Sequence, residues 1–566
     1  MTPPKKSQKS VWRIVFIGLG IIVLLMIGFA LYVQSQWKPM IKDKIGSAII
    51  NASDSLYRIN YTDIDLNILT GTVSLHQAQL IPDSMRYERL KLIKRAPTHL
   101  FRIKTKRLQI NRAQLLNAYF KQTIKLKRIA LVEPKIWMYY TKVGRMVDTN
   151  TTQKSLFEMI APSLKFIQVG EVRIQDADFE YYNGKRLANK INHLNIAIND
   201  ILIDSAAQFD TTRVGYAKAI AFNLGNYESL SKDKRYKIRL DSVNGNIITK
   251  QVLVKGFKLI PQLSDLAFSR QFKVQKDRYD LSFEQLKISN LDFIHLNQTG
   301  EIRARKIELG PGKVAVFLNR ELPPPPIDKG RNFPHRALAR LDINTKVDSL
   351  VLNQIQIAYT EYNPDTKAKG TLLLGNLKGS LLNLTNDSLS LTQNHYAKAN
   401  LTASLMNQGN LNVQINFNLT DPLAAFSYAG SIRNYNLTHL NKLAKPLGQV
   451  EVESGLVKDL NFSMQGNTRG AYGRVNFLYT DLKANLTKID AEGKTKKKGL
   501  LSFVANTVLI KDSNPLPGKE TRTANVQWAR VPQASFFNLM WKSIFLGIRE
   551  IVGIGMIPMK NPGDKD

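Results

Sequence analysis

The sequence predicts a mainly β protein that carries one N-terminal transmembrane helix and a few short amphipathic helices. Three observations predict this class. An apolar run without charged residues lies near the N-terminus, apolar and polar residues largely alternate from Tyr57 onward, and one eight-residue apolar pattern recurs along the chain. The first is typical of a membrane span, and the other two of strands with one apolar face.

Composition limits the classes of protein to consider. A chain of 566 residues is too long for one ordinary core, which predicts two to four units or an architecture that grows by repetition. With 43% hydrophobic residues it can bury a core. The absence of cysteine excludes disulfides, thiolate nucleophiles and cysteine-ligated metals. The net charge of +35 indicates a polyanionic neighbour, either nucleic acid or an anionic lipid surface.

The apolar run extends from Ile14 through Leu24 to Val33, about 20 residues, which is enough to cross the hydrocarbon core of a bilayer. Four basic residues and no acidic residue precede it, so the N-terminus is expected in the cytoplasm and the body outside. A cleaved signal peptide is the alternative. Residues 31–36 lack the small-residue cleavage site that such a peptide needs, which favours a retained anchor.

The recurring pattern is apolar-x-apolar-x-x-x-x-apolar, and we call each copy an octet. Its second and third apolar positions are five apart, so they share a face only if the strand turns or bulges between them. Break-forming residues stand there in most copies: Asn111, Pro134, Asp176, Gly256, Asn290 and Asn353. The seven octets are Val73/Leu75/Leu80, Leu108/Ile110/Leu115, Ile129/Leu131/Ile136, Val172/Ile174/Phe179, Val252/Val254/Leu259, Leu286/Ile288/Phe293 and Leu350/Leu352/Ile357.

Two segments interrupt the β pattern. Ser155 to Ile160 predicts a short helix, and 321–336 contains four consecutive prolines, which cannot donate to a sheet. The second predicts an internal boundary. The expected divisions are a cytoplasmic stub with the anchor, an N-terminal β region, the proline-rich linker, a C-terminal β region, and a C-terminal helix with its tail: 1–36, 37–320, 321–336, 337–534 and 535–566.

Apolar residues at helical spacing predict an amphipathic helix from about Ser535 to Met556. Its charged residues argue against a second membrane span. The helix is expected either to pack on the β body or to lie in a membrane interface, where it could gate access. The interfacial candidates are Phe537, Trp541, Phe545 and Ile548.

No motif predicts catalysis. The seven histidines are far apart, without metal-ligand spacing, and each is expected to be a surface or strand residue. The chain has no Gly-x-Ser-x-Gly elbow, phosphate-binding loop or dinucleotide fingerprint. We expect neither enzymatic activity nor a metal or cofactor. Nucleic-acid binding is not expected either, because the predicted topology separates the body from cytoplasmic DNA and RNA.

Several segments resemble the AsmA-like proteins of Gram-negative envelopes, which are related to TamB and to repeating-β-groove lipid-transfer proteins. After the basic N-terminus and single span, Ile59 to Leu80 resembles the family's opening strand-turn-strand motif. Leu126 to Tyr139 and Phe166 to Tyr182 look like its paired strands, and Ala424 to Lys488 like its closing domain. The likeness covers about two thirds of the chain and leaves 183–250 unmatched.

The resemblance implies an elongated, curved antiparallel β-sheet, open as a groove or folded like a taco, whose apolar concave face carries phospholipid acyl chains between the inner and outer membranes. The protein would be a single-pass inner-membrane protein with its body in the periplasm. Alternatively, exposed strand edges would help outer-membrane or secreted proteins to assemble. The candidates for contact with lipid are Leu108, Ile110, Leu115, Ile129, Leu131, Ile136, Val172, Ile174, Phe179, Leu286, Ile288, Phe293, Leu350, Leu352 and Ile357.

Overall fold

A computed structural model describes residues 49–50, 53–67, 72–112, 122–142, 157–158, 161, 164–489, 495–497 and 510–554. The predicted anchor, with Ile14, Leu24 and Val33, and the lipid candidate Leu115 lie outside these ranges. Within the described ranges, no helix combines the length and the apolar character needed to cross a bilayer.

The prediction of a mainly β protein is confirmed, since one mixed sheet takes in 24 strands. The remaining strand, β24, pairs with the end of β23. The strands are β1 Tyr57–Asn60, β2 Asp63–Asn67, β3 Thr72–His76, β4 Gln79–Pro82, β5 His99–Lys104, β6 Arg107–Asn111, β7 Thr123–Val132, β8 Lys135–Tyr140, β9 Phe166–Asn183, β10 Arg186–Ile203, β11 Ala217–Leu230, β12 Tyr236–Asn246, β13 Gln251–Pro261, β14 Arg278–Leu291, β15 Ile302–Leu309, β16 Gly312–Asn319, β17 Thr345–Asn363, β18 Ala368–Thr385, β19 Tyr396–Leu405, β20 Gly409–Asn418, β21 Phe426–Asn436, β22 Val450–Gly466, β23 Gly470–Ile489, β24 Thr495–Lys497 and β25 Thr523–Ala529.

Short helices connect the strands in the described part of the chain. Most are one or two turns long, and the longest follows β25. Their bounds are α1 Ser84–Leu92, α2 Asp265–Ser269, α3 Phe293–Thr299, α4 Pro334–Ala339, α5 Ser388–Gln393, α6 Asn441–Gly448 and α7 Phe536–Val552. Helix α7 confirms the predicted C-terminal helix. It ends at Val552, four residues earlier than expected, and Gly553 caps it with a left-handed backbone.

The chain forms two compact units, and each is made of three segments that alternate along the sequence with those of the other. The first comprises Met1–Ser229, Arg239–Lys255 and Asn290–Glu301. The second comprises Leu230–Ile238, Gly256–Ser289 and Ile302–Asp566. The proline-rich segment 321–336, predicted as a linker, therefore lies within the second unit.

The prediction of a purely antiparallel sheet is wrong. Strand β9 runs parallel to β7 and β8 in the first unit, and β17 runs parallel to β15 and β16 in the second. Parallel neighbours need a long crossover. The connections 141–165 and 320–344 provide it, and they contain the two segments that interrupt the β pattern of the sequence. Of the helix predicted at 155–160, residues 157–158 are described and are helical.

The predicted breaks within the octets are confirmed. In all seven copies the fifth residue has a left-handed backbone, and the φ angles lie between 48° and 65°. These residues are Gln77, Arg112, Glu133, Asp176, Gly256, Asn290 and Gln354. Three break positions, Asn111, Pro134 and Asn353, were predicted one residue away. At Pro134 the reason is the ring, which fixes a negative φ and leaves the turn to Glu133.

Hydrogen bonding continues through the breaks, so the bends leave few backbone groups unpaired. Gln77 N–H donates to the Lys106 carbonyl at 2.9 Å, Lys106 N–H to Val132 at 3.1 Å, and Glu133 N–H to Gln175 at 2.9 Å. At the next strand the Asp176 N–H donates to the Asn195 side chain at 2.9 Å. The breaks are therefore aligned from strand to strand, and each amide there keeps a partner.

Candidate functional site: apolar rows across the sheet

In the first unit, cross-strand pairing aligns the octets into rows. Residues paired across neighbouring strands lie on the same face of a sheet. On one side of the breaks, two rows cross the strands: Val73, Ile110, Ile129, Val172, Ile198 and Ile220, and Leu75, Leu108, Leu131, Ile174, Ile196 and Phe222. The first octet positions Val73, Ile129 and Val172 lie in the first row, and Leu108 and Ile110 exchange rows because β6 is antiparallel to both of its neighbours. Beyond the breaks, the third positions Leu80, Ile136 and Phe179 form a row with Ile59, Ile103 and Ile191.

Packing shows that the two sides of a break contribute to one apolar cluster. Val73 and Leu75 precede the break at Gln77, Leu80 follows it, and Ile103 is paired with Leu80 on the neighbouring strand. All four belong to the same buried cluster. An unbroken strand would place Leu75 and Leu80 on opposite faces. The odd spacing in the sequence is therefore compensated by the bulge.

The second unit repeats the arrangement. The row that contains the first positions Ile307 and Leu350 continues through Leu381, Ala399, Ile415, Tyr428 and Met464. Beyond the break, Val314, Ile357, Leu374 and Leu405 are paired in turn. Leu309, Leu352, Val314 and Ile357 pack around the buried Ile355, which again joins both sides of the break.

Burial separates the lipid candidates into two groups. Four in the first unit are buried, namely Ile110, Ile129, Leu131 and Val172. The half-buried candidates of that unit are Leu108, Ile136, Ile174 and Phe179. In the second unit Leu286, Ile288, Leu350, Leu352 and Ile357 are all half-buried. Partly exposed apolar side chains are available to a ligand without rearrangement, whereas the buried four are not.

Phe293 is not a strand residue, which corrects its assignment to the octet rows. It is buried at the start of α3, because Asp292 ends β14 and its side chain accepts a hydrogen bond from the His295 N–H at 2.9 Å. Asp292 is an N-cap that begins a helix two residues after the break at Asn290.

Helix α7 covers the apolar face of the last strands. It contacts β23 and β25, and its residues Leu539, Ser543, Gly547 and Ile551 are buried. The Tyr428 and Ser543 hydroxyls are hydrogen-bonded at 2.5 Å. A Cβ on Gly547 would lie 2.6 Å from Val475 Cγ2, so only glycine permits this approach. Packing on the β body, one of the two predicted roles, is therefore observed.

The outward face of α7 is also apolar. Phe537 is 72% exposed and Trp541 is 48% exposed. Phe545 stacks on Trp541 with ring centroids 5.2 Å apart, and Ile548 is half-buried. Contact of these four residues with a membrane interface remains a prediction.

Polar groups mark the end of the apolar rows in the second unit. Tyr279, Val316 and Tyr359 are paired on neighbouring strands, two residues beyond the row that contains Ile357. The Tyr359 hydroxyl donates to Glu361 Oε1 at 3.0 Å. Burial, followed by the negative charge of Glu361, raises the pKa of Tyr359 far above its usual range, so the phenol stays neutral. These groups can hydrogen-bond a polar ligand group next to the apolar face.

The ionisable residues form no evident catalytic arrangement within the described ranges, which also contain no cluster of three or more His, Asp or Glu able to hold a metal. His335 departs from the expectation of a surface or strand histidine. It is 4% exposed in α4, next to Phe417 and Phe426, and neither ring nitrogen has a hydrogen-bond partner among the described residues.

Three further octets escaped sequence reasoning: Tyr57/Ile59/Ile64, Phe101/Ile103/Leu108 and Ile307/Leu309/Val314. The structure places each across a break between two short strands. The available signal was the same spacing and, in the third copy, the Gly310-Pro311 pair at the break. No known family model matches the chain. A search of curated proteins likewise finds no match.

Proposed function

We propose that this protein carries phospholipid acyl chains along its apolar rows and serves lipid transfer or envelope maintenance between the inner and outer membranes. In this proposal the N-terminal span holds it in the inner membrane and the body lies in the periplasm, as in the AsmA-like proteins it resembles. The observation that carries the proposal is the set of aligned, half-buried apolar residues in the second unit, represented by Leu350, Leu352 and Ile357.

The energetics are those of apolar transfer. Each methylene that leaves water for an apolar surface gains about 0.8 kcal/mol, so a long acyl chain gains enough to balance its removal from a bilayer. Half-buried aliphatic side chains in the aligned rows of the second unit offer that surface. Hydrogen-bonding groups such as Tyr359 stand beside the row, where a headgroup would lie. No bond is made or broken, so transfer needs no catalytic residue, metal or cofactor.

Native mass spectrometry of the purified full chain, combined with lipid extraction, tests this proposal. We expect several phospholipids per chain. Replacement of Ile174, Ile288 and Leu352 by Asp should remove most of them, because a carboxylate in the row is costly to desolvate. Gln356→Asp is the matched control, since its side chain lies on the opposite face from Ile357. A folded, lipid-free wild-type chain, or equal lipid loss in the control, would refute the proposal.

Assembly of outer-membrane or secreted proteins is the second candidate. The observation that favours it is an open strand edge, because in the described part of the chain β25 pairs only with β23. An extended segment of a client protein can add to such an edge. Pro substitution at Asn525 or Gln527 would then abolish client cross-linking, whereas lipid content would stay unchanged.

A further inference from the structure

Helix α1 presents two contrasting faces in the first unit. Its inner residues Tyr87 and Leu90 are buried in the cluster that contains the first octet. The Tyr87 hydroxyl donates to the Pro97 carbonyl at 3.1 Å, and the Asp83 side chain caps the helix by accepting the Arg86 N–H at 2.9 Å. The helix is therefore held firmly in one orientation, and its outer face is fixed as well.

The outer face of α1 carries large apolar side chains although it is exposed to water. Met85 is 70% exposed, Leu92 is 84% exposed and Ile93, just after the helix, is 55% exposed. Met85, Arg89 and Leu92 follow the spacing of one helix face, opposite Tyr87 and Leu90. Three large exposed apolar side chains within nine residues are more than a folded surface ordinarily leaves together.

Basic residues surround these apolar side chains. Arg89, Lys94 and Arg95 are exposed, and none of the three has an ion pair with another described residue. The left-handed backbone at Lys94 turns the chain, and Arg95 N–H donates to the Leu90 carbonyl at 2.8 Å. This turn keeps Lys94 and Arg95 beside Leu92 and Ile93 at the end of the helix.

We infer that the outer face of α1, through Arg95, binds the surface of an anionic bilayer. Met85, Leu92 and Ile93 enter the headgroup region, and Arg89, Lys94 and Arg95 contact lipid phosphates. Uncompensated cations around exposed apolar side chains complement such a surface. The inference rests on the proposed membrane location and is independent of lipid carriage by the rows.

The absence of cysteine from the chain makes a site-specific test direct. Leu92→Cys in the full-length protein, labelled with an environment-sensitive fluorophore, is reconstituted into vesicles of phosphatidylcholine alone or of phosphatidylcholine and phosphatidylglycerol in equal parts. We expect a several-fold rise in emission and a blue shift in the anionic vesicles. Leu389→Cys, at an exposed apolar position of α5 in the second unit, is the matched control and should report water in both.

Replacing Arg89, Lys94 and Arg95 with Gln should abolish the response of the label at position 92. All three side chains are exposed, so circular dichroism should be unchanged. A label that stays in water in anionic vesicles, or a response that survives the triple replacement, would overturn the inference. Lipid content of the triple variant, measured by native mass spectrometry, separates this result from the proposed function, because residues of the rows are untouched.

Discussion

In the second unit, the apolar rows are packed differently in strands β14 to β18 and in strands β19 to β25. In the first group Leu286, Leu352 and Ile357 are half-buried. In the second group the rows continue into buried residues such as Phe462 and Val475, and α7 lies over them. Helix α7 forms a second layer over the second group of strands. In the described part of the chain, no helix of similar length directly follows a strand of the first group.

The difference teaches how one sheet face can serve two purposes. An apolar face stabilises the fold when a second layer excludes water from it, and it remains available to a ligand when none does. The strands that α7 covers are therefore stabilised by a second layer. The rows of β14 to β18 lie outside the main contacts of α7, although α6 contacts β17 and β18, and they are where the proposed lipid function would be located. Four substitutions test this division, and each is compared with a control substitution that should have a different effect.

The largest expected effect comes from Leu539→Ala on the buried face of α7. Leu539 is fully buried, so its truncation should lower the free energy of unfolding by about 3 kcal/mol. Leu352→Ala, in the half-buried rows, should lower it by about 1 kcal/mol, because part of that side chain already contacts solvent. Denaturant titration of both variants measures the two values. Equal losses would mean that the two regions are packed alike.

Gly547→Ala tests the close approach of α7 to the sheet. The added methyl would meet Val475 and Val526, and overpacking of this kind should cost about 1 to 3 kcal/mol of unfolding free energy. Gly448→Ala is the control, since a Cβ there meets nothing within 4 Å. Thermal melting compares the variants. A stable Gly547→Ala protein would indicate that the helix is not docked tightly.

His335 makes the covered region sensitive to pH. Burial, with a smaller contribution from the Arg336 charge, lowers the pKa of His335, and the Ala424 backbone and Asp421 oppose this only in part. Below the ordinary pKa of about 6.5 the unfolded chain takes up a proton that the folded chain refuses, so stability falls as the pH drops, by at most about 1.4 kcal/mol per pH unit.

Denaturant titrations between pH 7.5 and 5.5 measure this dependence. The His335→Phe variant should lose the part that depends on this residue, whereas His395→Gln should keep it. A dependence unchanged in His335→Phe would show that other groups cause it.

The smallest expected effect concerns the breaks that both regions need. Gln354→Gly should raise the unfolding free energy by up to about 1 kcal/mol, because glycine adopts the left-handed backbone at position 354 without a steric penalty. Ala358→Gly, where β17 pairs regularly with both β16 and β18, should instead lower it by about 0.5 to 1 kcal/mol. The same titration measures both. Losses of similar size would contradict a break at 354.

Sequence reasoning predicted the strands and the breaks, because both depend on local patterns. Alternation in Thr123 to Leu131 and the spacing of Ile129, Leu131 and Ile136 report on one strand at a time. Parallel pairing of β7 with β9 depends on where a crossover returns, which no local pattern encodes. The same limit applied to burial. Ile129 and Ile174 look alike in the sequence, yet one is buried and the other half-buried because of what packs over them.

The two parallel crossovers have a consequence for how the chain could have lengthened. Each unit contains the same order of elements, which we call a cassette: two short strands separated by a break, a crossover connection, and two long antiparallel strands. The strands are β7 to β10 in the first unit and β15 to β18 in the second. The crossovers have equal length, and the same number of residues separates the two octets that flank each. Since such a cassette contains its own breaks, copying it adds rows without disturbing existing ones. Inserting one residue inside a strand would invert all the side chains beyond it. Lineages of this protein should therefore differ by whole cassettes and tolerate few single-residue insertions within strands.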